Sequence, residues 1–64
     1  MKTILLEIGD SVKLYNGTEG NIIAFDVEKY EVMISSLNSY PQAFHIRNIR
    51  ELNGIEVDSD YLIL

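Results

Sequence analysis

Residues 11–15 alternate, with Val12 and Leu14 to one side and Lys13 and Tyr15 to the other. That period of two is the signature of a half-buried strand. Residues 21–26 hold a continuous apolar run, Ile22 to Phe25, bounded by Asn21 and Asp26, which predicts a central strand crossing the core and covered on both sides at one end. Residues 29–35 alternate again, with Tyr30, Val32 and Ile34 facing one way and Glu31 and Met33 the other. The link over 26–29 is short enough for a hairpin. Residues 36–42 read as a loop whose exit is set by Pro41, and residues 43–46 as a fourth short strand. Ile49 and Leu52 stand at i and i+3, which predicts a single 3₁₀-like turn running into a fifth strand. Asn53-Gly54 is the strongest short hairpin signal in the chain and would pair residues 50–52 with 55–57.

Isoleucine, valine, tyrosine and phenylalanine dominate the apolar set, and no window shows helical spacing between good caps. The expected core is Val12, Leu14, Ile22, Ala24, Val32, Ile34, Phe44, Ile46, Ile49 and Leu52. Ile23 and Phe25 lie on the opposite face of their strand, and at least one is expected to be covered by a terminal segment.

Gly17 and Gly20 stand three apart between two apolar runs, which raises the question of a phosphate-cradling loop. A Walker loop continues into lysine and a hydroxyl residue, whereas Asn21 and Ile22 follow here. The dinucleotide fingerprint would need its first glycine where the chain has Tyr15. Glu19 would also repel a phosphate. The pair therefore reads as turn punctuation: Asn16-Gly17 supplies a tight turn, and Gly20 opens the next strand where the chain bends sharply.

The stretch GDSVKLYNGTEGNII resembles the opening of small SH3-like β-barrels, especially the KOW-type barrels of ribosomal and transcription proteins. Gly9, Asp10, Val12, Gly17, Gly20 and Ile22 fall where that pattern places its residues. The stretch AFHIRNIREL is similar to the end of such barrels, where a 3₁₀ turn leads into a short last strand. The resemblance covers about residues 8–52 and implies an all-β fold: a small five- or six-stranded antiparallel SH3-like barrel with a short 3₁₀ turn before its last strand. The chain is then one domain over residues 1–64, with apolar extensions at 1–7 and 53–64. RNA-binding barrels of this type carry lysine and arginine in their nucleic-acid-facing loops. The corresponding loops here hold Glu19, Asp26 and Glu28, with Lys29 alone beside them.

Charge sharpens that departure. Ten acidic and five basic residues give a net charge of −5, which disfavours a general attraction to nucleic acid or anionic membrane. Glu56, Asp58 and Asp60 follow Glu51, and no basic residue follows Arg50. The absence of cysteine removes disulfide and thiolate chemistry and suits a reducing cytoplasm. Glu7 interrupts the apolar run of residues 4–6, leaving it shorter than a signal-peptide core or a membrane span, so a cytoplasmic chain is expected.

Catalytic and metal chemistry find little support. His45 is the single histidine, has no cysteine to share a zinc ion with, and suggests no nucleophile–base pair. Glu56, Asp58 and Asp60 would line one side of an extended segment, but the glycine and distal glutamate of a calcium loop are missing. No cofactor is implied. The candidate partner-binding residues are Tyr15, Tyr30, Tyr40, Phe44, Arg47, Arg50 and Tyr61. Tyrosine pairs apolar area with a polar tip, and the two arginines suit a carboxylate-rich partner or a pairing with Glu51 or Glu31.

Two functions remain open. One is a small acidic, non-enzymatic protein-interaction module that binds another protein or itself. Stand-alone barrels of this kind resemble accessory proteins of phages and mobile elements, where an acidic surface can block a host protein. The other is a nucleic-acid- or ribosome-associated barrel, implied by the family resemblance and opposed by the charge. The apolar ends TILLEI and YLIL are expected to pair with each other or the barrel edge, or to pair across a symmetric dimer, which is the favoured outcome.

Overall fold

The computed structural model describes residues 2–37 and 39–64; Met1 of the amino-terminal extension and Asn38 of the expected loop lie outside them. Among the described residues eight strands occur in chain order. They are β1 (Ile4–Leu5), β2 (Ser11–Leu14), β3 (Glu19–Asp26), β4 (Glu31–Ser35), β5 (Gln42–His45), β6 (Ile49–Leu52), β7 (Ile55–Glu56) and β8 (Leu62–Ile63). One 3₁₀ turn, Ile46–Asn48, joins β5 to β6, and a second, Ser59–Tyr61, precedes β8. The described residues contain no α-helix, and so none long and apolar enough to cross a membrane.

Six strands form one sheet in the order β5-β4-β3-β2-β6-β7, and all five of its pairings are antiparallel. The mostly β, antiparallel class expected from the alternation is thus present, with the 3₁₀ turn ahead of β6. The sheet is not closed into a barrel: β5 and β7 are its two ends and do not pair. The reason lies in β7. It has two residues, after which the chain turns through Asp58 into the second 3₁₀ turn and leaves the sheet. The ends of the chain pair instead with each other, β1 beside β8 in parallel, with Ile4 opposite Leu62 and Leu5 opposite Ile63. The Leu6 amide extends that ladder by donating to the Ile63 carbonyl at 2.8 Å. Pairing of the ends with each other, one of the arrangements expected for them, is thus present within the chain.

The core contains Leu6, Val12, Leu14, Ile22, Val32, Ile34, Ile46, Ile49, Leu52 and Leu62, with Ile4, Phe25, Phe44, Val57 and Leu64 packed against it. Burying each aliphatic side chain contributes roughly 1.5–3 kcal/mol. Two expected members are absent. Ala24 is exposed, and Phe44 is half-buried at the margin of the core. A β-bulge explains the outward facing of Ala24. In β3, Ile22 lies opposite Ile34 but Ala24 lies opposite Met33, so Ile23 is an extra residue in its strand. The inward set therefore jumps from Ile22 to Phe25, and Ala24 turns outward. Ile23 is left 46% exposed.

The second bulge lies between β2 and β6. Lys13 is opposite Glu51 and Leu14 is opposite Ile49, which leaves Arg50 unmatched. Ile49 and Leu52 are thus both buried at a spacing of three inside a strand. That spacing mimics one helical turn, which is why the 3₁₀ turn was expected there; it sits three residues earlier, at Ile46–Asn48.

The two turn assignments follow from backbone geometry. Gly17, with φ of 90°, reverses the chain between β2 and β3. At Gly20 the reason is space: a Cβ there would meet the Ser35 carbonyl oxygen and the Ile34 side chain. Asn53 and Gly54 both have positive φ, the requirement of a two-residue type I′ hairpin between β6 and β7. Asn53 has a second task. Its Oδ1 accepts from the Ser11 amide at 2.9 Å and its Nδ2 donates to Asp10 Oδ1 at 3.1 Å, tying this hairpin to the entry of β2.

Candidate partner-binding site

The first 3₁₀ turn crosses from the end of β5 to the start of β6, and both of its ends are anchored by backbone hydrogen bonds. The Ile46 amide donates to the Tyr30 carbonyl at 2.9 Å, and the Tyr15 amide donates to the Asn48 carbonyl at 3.0 Å. His45 caps the turn, its Nδ1 accepting from the Arg47 amide at 3.1 Å. The second 3₁₀ turn, which contains Tyr61, packs beside the first. Four of the seven candidate residues, Tyr15, Tyr30, Arg47 and Tyr61, therefore gather around one short turn although up to 46 positions separate them in sequence. Tyr15, Tyr30 and Arg47 are exposed and Tyr61 is half-buried.

Tyr30 is held in an unusual state. Its φ of 53° lies in the left-handed region, where a bulky side chain is strained by roughly 1–3 kcal/mol. The turn closes by a Tyr30 amide to Val27 carbonyl bond of 3.3 Å. Its ring lies 6.4 Å from the His45 ring at a tilt of 40°. The turn thus presents one tyrosine beside an imidazole whose Nδ1 is already engaged.

The remaining candidates lie elsewhere. Tyr40 sits in the β4–β5 connection, 90% exposed. Phe44 lies opposite Val32 and is half-buried, packed against the core. Arg50 is the extra residue of the β6 bulge, exposed, with its carbonyl accepting from the Val57 amide at 3.0 Å. Neither arginine reaches Glu31 or Glu51; among the described residues the one ion pair is Lys13–Glu19 at 3.9 Å.

The acidic tail is also arranged differently from expectation. Glu56 ends β7, while Asp58 caps the second 3₁₀ turn, its Oδ1 accepting from the Asp60 amide at 2.9 Å. The three carboxylates are exposed but do not share one extended segment. Among the described residues no group of three His, Cys, Asp or Glu side chains is placed to hold a metal ion.

Sequence reasoning missed the bridging roles of His45, Asn48 and Asn53. Asn53-Gly54 signalled its own turn, but no local pattern announces a side chain that reaches 43 positions back to Asp10. Comparison with protein-family models, with curated proteins and with solved structures finds no match to this chain.

Proposed function

We propose that this chain is a non-enzymatic protein-interaction module that docks a partner protein on the end formed by the first 3₁₀ turn. One observation carries the reading: Tyr15, Tyr30, Arg47 and Tyr61 converge there, with Tyr30 held at a φ of 53°. Strained backbone concentrates where a fixed presentation matters. Tyrosine and arginine are the residue types that dominate binding energy at interfaces. The strand order, with a 3₁₀ turn just before the strand that returns to β2, supports the resemblance to SH3-like, KOW-type folds. The net charge of −5 speaks against the nucleic-acid role of that family.

Affinity capture from the cell of origin tests the reading, with intact protein compared to Tyr15→Ser, Tyr30→Asn and Arg47→Glu variants. Asparagine tolerates the left-handed region, so Tyr30→Asn removes the ring without loss of stability. A partner captured by the intact chain and lost with each variant, in lysate treated with nuclease, supports the reading. Capture that survives all three substitutions, or that disappears with nuclease alone, rejects it.

A further inference from the structure

The sheet offers a second surface, the open edge strand β5, which meets the first 3₁₀ turn only at its last residue, His45. Its two edges differ. β7 is two residues long and is followed closely by acidic groups, with Glu56 inside it and Asp58 beyond. Short, charged edges resist pairing. β5 runs four residues, Gln42–His45, and carries no acidic residue or lysine. Its one visible guard is Pro41 at the entrance. Since the sheet does not close, the outer side of β5 has no neighbouring strand among the described residues.

The outward face beside that edge is ordered in rows. The β3 bulge places Ala24, Met33 and Ala43 side by side across β3, β4 and β5. The next outward row is Asp26, Glu31 and His45. A concavity of about 520 Å³ lies over these rows, with Val27, Glu28 and Lys29 on its rim. Asp26 and Glu31 stand directly opposite each other, a pairing that is destabilising for like charges. Asp26 has a local task, accepting from the Lys29 amide at 3.3 Å. Glu31 has no hydrogen-bonding or ion-pair task of that kind among the described residues.

We infer that β5 is a strand-addition site for an extended, basic segment of a partner protein. A strand laid along β5 takes up its open backbone groups, and its outward side chains continue the two rows. The position beside Ala43 then calls for an apolar residue, and the position beside His45, two residues along the same face, calls for a lysine or arginine. That long cation, roughly 10 Å of strand spacing from Glu31, reaches over His45 toward the Glu31 carboxylate and offsets the charge it adds opposite Asp26. Charge decides between occupants. A second copy would bring a second net −5 and a second acidic row to the same edge, whereas a basic segment neutralises both.

The test is an NMR titration of the isotope-labelled intact chain with a capped peptide in which lysine and valine alternate along one face and threonine fills the other. A control peptide carries glutamate for lysine. The expected result is shifts and slowed exchange at the Gln42–His45 amides, no effect of the control, and affinity that falls steeply with salt. Glu31→Lys should weaken binding about tenfold or more while the far-UV spectrum is unchanged. Four results would overturn the inference: shifts centred on Tyr15, Tyr30 and Arg47; shifts confined to Glu56, Asp58 and Asp60; no binding; or β5 amides already protected in a peptide-free dimer seen by sedimentation. The first of these would leave the proposed docking end intact, so the two surfaces are judged separately.

Discussion

The six-stranded sheet and the β1–β8 clasp are both β-structure, yet they are held by different means. Every neighbour in the sheet is antiparallel, and four of its five pairings join strands adjacent in sequence through short connections or a single loop. The clasp is two residues on each side, parallel, and closes a loop that includes nearly the whole chain. Loop-closure entropy opposes such a pair, and its few ladder bonds do little to offset it. What holds the clasp is Leu6 and Leu62, 3% and 4% exposed, which insert into the same core as the sheet. The lesson is that a minimal ladder persists where it is the lid of a core rather than an independent sheet. It also means the clasp should open before the sheet does.

The largest expected effect tests the sheet side of that contrast. Leu14 is 1% exposed in the central strand β2, and Leu14→Ala should destabilise by about 3–4 kcal/mol. In a chain this small that is most of the stability, so the variant should be largely unfolded by denaturant titration near room temperature. A melting temperature equal to that of the unmodified protein would show that β2 is not the centre of the core.

Gly20→Val comes next, at about 2–3 kcal/mol, because the added branch must displace the backbone of Ser35 rather than a flexible tip. The same denaturant titration reads it, and a change under about 0.5 kcal/mol would mean β3 and β4 do not approach as closely as described.

The clasp gives the third. Leu62→Ala should cost about 2 kcal/mol, at the low end for buried leucine because a chain terminus can relax. Its signature is regional. Hydrogen exchange should accelerate at the Leu6 amide while the β2–β3 and β3–β4 amides keep most of their protection. Uniform acceleration throughout would make clasp and sheet one cooperative unit and end the comparison. The smallest effect concerns the bulge. Ala24 points outward, so Ala24→Ser should change stability by no more than about 0.5 kcal/mol. A loss comparable to that of a core residue would place Ala24 inward and remove the outward Ala24–Met33–Ala43 row.

Much of the sheet is written locally. Alternation at Val12 and Leu14 and at Val32 and Ile34 set the facing of β2 and β4, and both pairs are buried. Asn53-Gly54 announced the β6–β7 hairpin because asparagine and glycine both tolerate the positive φ that its two turn positions require. The candidate site was legible only as residue types. Tyrosine and arginine can be picked out by composition, but Tyr15, Tyr30, Arg47 and Tyr61 meet because the first 3₁₀ turn bridges two strand ends. Nothing in the local pattern marked Tyr30 as left-handed.

The sequence by itself determined the strands, their turns and most of the inward faces, since side-chain periodicity and backbone preference act over a few residues. Tertiary structure decided the two bulges, the open sheet and the parallel clasp. A bulge is an extra residue relative to a partner strand, so it has no meaning until that partner is known; Ile23 is extra only against Ile34, and Arg50 only against Leu14. Closure depends on whether distant edges meet, and the pairing of Ile4 with Leu62 depends on a core that exists only once the other strands have folded.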